Sequence, residues 1–193
     1  AAVLFVVTIG IVFAVIGSHK KENNPSVADN QNNETTAEPT TEEETTTKVP
    51  TVEVDLMMIG DMLMHEGVVK SGLMDDGTYN FDHLYTNIAK DISSADIKIV
   101  NQETILGGSD FAYTGYPTFN SPWALGDAEV KAGFNIILHA TNHTLDKGLK
   151  GVENCLSFWK TYHPDTTVLG INETEEDYEN IYVYEKEGFK IAF

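Results

Sequence analysis

Three apolar runs in this chain each stop at a group of side chains able to hold a metal or move a proton. That repetition restricts the fold more than any other feature. Residues 52–59 (VEVDLMMI) alternate and then turn wholly apolar before Gly60-Asp61, the pattern of a strand entering a core. Residues 97–100 stop at Asn101-Gln102-Glu103-Thr104, and residues 134–138 stop at His139-Ala140-Thr141-Asn142-His143. Stretches with helical spacing lie between and after the runs. Apolar residues at 81, 84, 85, 88, 89 and 92 predict one helix. Residues 123–132 predict a second, stopped by Gly133, and residues 151–162 a third, followed by a strand at 167–169. Alternating strands and helices predict an α/β domain with a largely parallel sheet. Ligands bind beyond the carboxyl ends of such strands, and neighbouring strands lie about 4.8 Å apart. Side chains from three strand ends can therefore meet at one point.

Each candidate residue has a chemical reading and a plainer one. Asp61 is a metal-type carboxylate or a turn cap. Asn101 and Glu103 share a face of a continuing strand, with Gln102 on the other; a Glu beside a core strand needs a partner or is a solvated strand end. Asn142 offers a neutral oxygen ligand, or opens an Asx-type turn. His143 can ligate metal or donate a proton, and Asp146, three residues on, is placed to orient it. His139 is a packing residue or a further ligand, and His65 has a role at the site or is an exposed loop His. Tyr113, Tyr116, Pro117, Phe119, Pro122 and Trp123 form an aromatic, Pro-rich loop, which either shapes a substrate pocket or is simply ordered. Cys155 and Trp159, four apart, read as core. The G-x-S-x-G, Walker A, G-x-G-x-x-G and C-x-x-C patterns do not occur.

Outside the α/β part, residues 1–17 (AAVLFVVTIGIVFAVIG) are almost wholly apolar. A membrane span needs roughly 20 such residues, so we read residues 1–19 as a transmembrane anchor lacking its first turn. A cleaved signal peptide is the alternative, with Val15-x-Gly17 the best small-x-small site. Residues 20–50 read as a disordered linker. From 22 on they hold seven acidic residues, seven Thr and three Pro, too little apolar surface to offset chain entropy. The domain is then 51–193. Its last predicted strand runs to Phe193 without a polar tail, so it is expected to continue further. The formal charge is −18, and every basic residue is Lys. So acidic a chain should not bind nucleic acid. Without Arg, no guanidinium clamp can hold a phosphate, and a bound metal is the obvious substitute.

Taken together, the stretches MIGDMLMH (58–65), IVNQETILGG (99–108), GYPTFNSP (115–122) and AGFNIILHATNHTLDKGLKGV (132–152) resemble the bacterial capsule-synthesis, or poly-γ-glutamate synthesis, family (CapA-like), a branch of the calcineurin-like metallophosphoesterases. VLGI (168–171) and GFKIAF (188–193) extend the resemblance over most of 54–193. It implies a layered α/β sandwich with helices flanking central sheets. It also implies that Asp61, Glu103 and Asn142 hold one or two divalent metals (Mn, Mg, Fe or Zn), while His143, oriented by Asp146, contacts the phosphoryl group or leaving oxygen. Asn101 and Tyr116 are the substrate-binding candidates. The Asp-x-His pair typical of phosphoesterases is absent, since Leu63 stands two beyond Asp61 and the nearest His is His65. Thr141 stands where many relatives have a second Asn.

Two functions follow as expectations. One is a metal-dependent phosphoesterase-type hydrolase, anchored by a single span in the cell membrane with an extracytoplasmic domain. The other is a non-catalytic subunit of a polymer synthesis or export complex, with other capsule-synthesis membrane proteins as partners. A glycosidase using Asp61 and Glu103 is a weaker third.

Overall fold

The computed structural model describes residues 52–193; the predicted anchor at 1–19 and linker at 20–50 lie outside the described residues. No helix among the described residues is long and apolar enough to cross a membrane. Strands β1 (Leu56–Ile59), β2 (Ile97–Asn101), β3 (Ile136–Leu138) and β4 (Thr167–Leu169) form one parallel sheet whose spatial order equals the chain order. Leu56 pairs with Ile97, Ile99 with Ile136, and Ile136 with Thr167. Each of these four predicted runs is therefore a strand; the first and third are trimmed at the amino end, the second gains Asn101 and the fourth keeps its predicted bounds.

Helices occupy the intervals, as parallel strands require. They are α1 (Glu66–Ser71), α2 (Ala89–Ser94), α3 (Trp123–Ala132), α4 (Gly148–Tyr162) and α5 (Glu175–Glu179). Ile92 of α2, Leu125 and Ala128 of α3, and Cys155, Phe158 and Trp159 of α4 share one buried cluster with Val100 and Ile137. The helices thus cover one face of the sheet. Alternation puts Ile97, Ile99 and Ile136 on the other face. There Tyr182, Tyr184 and Ile191 pack against them, from or beside the antiparallel hairpin β5 (Val183–Lys186) and β6 (Phe189–Ala192). The α/β class and the helical layer agree with expectation. Where two central sheets were expected, the described residues hold one four-stranded sheet and a two-stranded hairpin.

The helix expected from 81 to 92 is only partly present. A short 3-10 turn spans Asp82–Leu84, and α-helix begins at Ala89. The Asn80 carboxamide oxygen accepts the Asp82 N–H at 2.9 Å, and the Thr86 hydroxyl donates back to the Asp82 carbonyl at 3.3 Å. Such local bonds compete with helix propagation. The apolar spacing was real, since Phe81, Tyr85 and Ile92 are all buried.

Three titratable groups lie inside the core. His139 is 1% exposed, and burial pushes its pKa down to about 3, so the ring is neutral and its Nε2 accepts the Trp159 indole N–H at 3.0 Å. Burial pushes the Cys155 thiol up to about 12, which leaves it inert. Glu129 of α3 is fully buried beside the Tyr85 hydroxyl without closing a well-formed hydrogen bond, and desolvation raises its pKa well above the usual carboxylate value. The folded state therefore keeps a proton that the unfolded state releases above its ordinary pKa near 4.5. Stability from this group is greatest below that pKa and is lost as pH rises toward the folded pKa. Glu129→Gln keeps the shape and removes the titration. Its stability relative to wild type, measured by urea denaturation, is expected to grow from pH 5 to pH 7 by up to about 1.4 kcal/mol per pH unit.

Candidate metal and phosphoester site

The loops leaving β1, β2 and β3 are tied together at the carboxyl end of the sheet. The Met62 N–H donates to the Asn101 carbonyl at 2.9 Å, and Gln102 N–H to the Leu138 carbonyl at 2.9 Å. The Thr141 hydroxyl donates to the Glu103 carbonyl at 2.7 Å, fixing the third loop to the second. These bonds bring together most of the residues singled out in the sequence. The Asn101 carboxamide donates to the Asp61 carboxylate at 2.5 Å. The His143 Nε2 lies 3.9 Å from a Glu103 carboxylate oxygen, and the two side chains are 16% and 15% exposed. Gln102, on the opposite side of the strand, is fully buried.

His143 Nδ1 is 2.8 Å from the Asp146 carboxylate, which also accepts the Phe119 N–H at 2.7 Å. A carboxylate only accepts, so Nδ1 carries the hydrogen and Nε2 faces Glu103. Burial raises the pKa of Glu103, and the neighbouring Asp61 charge raises it further; His143 and His65 oppose the shift.

The aromatic loop closes one side of the cluster. Phe119 is 1% exposed. Its ring meets His143 edge-on at 4.5 Å and His65 edge-on at 5.3 Å. The same loop abuts the start of α1: a Cβ on Gly115 would come within 2.8 Å of the Glu66 backbone nitrogen. Only glycine allows so close an approach. The Lys147 ammonium bonds the Thr114 hydroxyl at 3.0 Å and the Thr118 carbonyl at 3.2 Å, pinning this loop to the segment after His143.

Two candidates take no part in the hydrogen bonds that join the cluster. Asn142 is exposed. Tyr116 is 79% exposed at the tip of the aromatic loop. Conversely, Phe119 and His65 contribute more than their sequence context indicated. Phe119 carries no local signal, because its contacts come from two other loops. His65 was legible only as the fourth residue after Asp61.

The donor set fits a cation by its charge. Two carboxylates lie in one another's field, and the positive groups that Glu103 senses are imidazoles. Such a setting is relieved by a divalent ion. No three His, Cys, Asp or Glu side chains close into a ligating group among the described residues. Carboxylate oxygens such as those of Asp61 and Glu103 are hard donors of the kind divalent ions take.

The described residues thus form a parallel α/β sheet with acids, an Asn and an Asp-oriented His gathered at its strand ends. Residues 55–193 match the family model of the bacterial capsule synthesis protein PGA_cap, and the chain belongs to that family. Neither the curated proteins nor the solved structures hold a match to it.

Proposed function

We propose that this capsule synthesis protein is a metal-dependent phosphoesterase-type hydrolase, anchored in the cell membrane and working outside it on the synthesis of an anionic capsule polymer such as poly-γ-glutamate. The observation that carries the chemistry is the Asp146–His143 pair directed at Glu103 beside Asp61. The apolar segment at 1–17 and the acidic Thr-rich stretch after it support the anchor and its tether.

In this reading Asp61, Glu103 and Asn142 hold a divalent metal, Mn, Mg, Fe or Zn. When bound, that ion supplies Lewis-acid polarisation of the phosphoryl group and an acidified water. The chain's own residues do the rest. Asp146 holds the His143 ring through Nδ1, so that in the imidazolium form the Nε2–H would hydrogen-bond a substrate oxygen and pass its proton to a leaving alkoxide, leaving the ring neutral. Asn101 fixes the Asp61 carboxylate and, with Tyr116, contacts the substrate. Phe119 keeps water from one side of His143.

The full-length protein is assayed on bis(p-nitrophenyl) phosphate with Mn²⁺. Turnover is expected to vanish on chelation and to return with added metal. If purified protein turns over no phosphodiester or monoester under any of the four metals, the hydrolase reading fails. The protein is then a non-catalytic member of a polymer synthesis or export complex, and family membership is untouched.

A further inference from the structure

Five histidines lie among the described residues, and four have a ring nitrogen engaged: His83 with Ser71, His139 with Trp159, His143 with Asp146 and His163 with Asp127. His65 differs. No side-chain hydrogen bond among the described residues engages its imidazole, yet its backbone is firmly held. Its N–H donates to the Leu63 carbonyl at 2.9 Å, and its own carbonyl accepts from Val68 at 2.8 Å and Val69 at 3.0 Å. The ring rests edge-on against Phe119, the ring that also buttresses His143. That shared contact places it at the cluster and not on a remote surface.

The nearby lysines are already committed. Lys70 pairs with Glu66 at 2.6 Å, and Lys147 bonds the aromatic loop. With no Arg in the chain, imidazole is the remaining side-chain type that can bring positive charge to an anionic substrate at this end of the sheet. We propose that His65 is a substrate-binding residue, whose ring N–H donates to a non-reacting anionic oxygen of a phosphoryl substrate as a contact separate from that of His143. The proposal rests on the phosphoesterase reading and adds the residue that positions the substrate.

The test uses the full-length protein with its histidine rings ¹⁵N-labelled. Inorganic phosphate is titrated into the Mg²⁺-loaded form while the ring resonances are followed. KM and kcat for bis(p-nitrophenyl) phosphate are measured in parallel with Mn²⁺. Phosphate is expected to shift the His65 resonances. His65→Phe keeps an aromatic edge against Phe119 but has no donor; KM and the phosphate inhibition constant should each rise about tenfold, with kcat within about threefold. His65→Gln, which restores an N–H, should recover most of the loss. Phosphate binding that shifts His65 without any ester turnover would uphold the assignment while ending the hydrolase reading. Unmoved His65 resonances at saturating phosphate, no phosphate binding, or an unchanged KM and inhibition constant in His65→Phe would each overturn the proposal. Should His65→Phe fail to fold, the resonances and His65→Gln decide.

Discussion

Asp61→Asn is expected to lower Mn²⁺-dependent turnover of bis(p-nitrophenyl) phosphate by roughly a thousandfold, with little change in stability. Asp61 is exposed, and its side chain is bonded to the Asn101 carboxamide at the end of β1. Asparagine keeps an oxygen to accept that bond and removes only the charge, so the strand ends should stay joined. What changes is the field at Glu103. The Asp61 charge is the second cause, after burial, of the raised Glu103 pKa. Without it, Glu103 titrates lower and a cation loses one of its two charged ligands. The comparison is kcat/KM across metal concentrations, with urea midpoints recorded on the same preparations. A variant that matches wild type at saturating metal would remove Asp61 from the site. A variant with an equal loss in stability would make it a structural turn residue.

Gly170→Ala should be the most damaging single-methyl change in the described residues, costing about 3 kcal/mol or more. Gly170 follows β4 with φ 90°, and a Cβ there would come 2.4 Å from the Ala140 backbone nitrogen. Neither a left-handed alanine nor that contact is tolerable. The backbone must move, and the bond from His139 N–H to the Leu169 carbonyl at 2.8 Å lies in its way. Ala140 adjoins Thr141, whose hydroxyl holds Glu103. A displacement near 1 Å would therefore reach His143 and cost about a hundredfold in turnover. Gly67→Ala is the control, since a Cβ there meets nothing within 4 Å; in α1 it should be neutral or stabilising by about 0.5–1 kcal/mol. Urea denaturation followed by circular dichroism separates the two variants.

The sheet strands and α3 were legible because their signals are local: apolar runs that fit a buried sheet and a terminal Gly133. The convergence of three strand ends was legible too, since a parallel sheet brings its carboxyl ends together whatever the loops do. The break after Leu84 was not, because side-chain bonds at Asn80 and Thr86 outweighed a correct apolar period. Helix α5 was missed although Thr174 and Asp177 form a reciprocal capping box; without an apolar stripe, that signal did not announce a helix. Glu129 gave no warning either, because its burial depends on how α3 meets Tyr85. The wall built by Phe119 is entirely tertiary. No spacing within 113–122 says which ring turns toward His143.

The strand order carries one more consequence. Because spatial order equals chain order, a chain leaving the ribosome can add each strand to the edge just completed, without reserving a gap for a later one. Asp61 and Glu103 are then brought side by side as soon as β2 docks, some forty residues before His143 is made. The nascent sheet thus carries two uncompensated acids at one end until the third loop arrives. A divalent ion present at that stage would act on assembly as well as on chemistry.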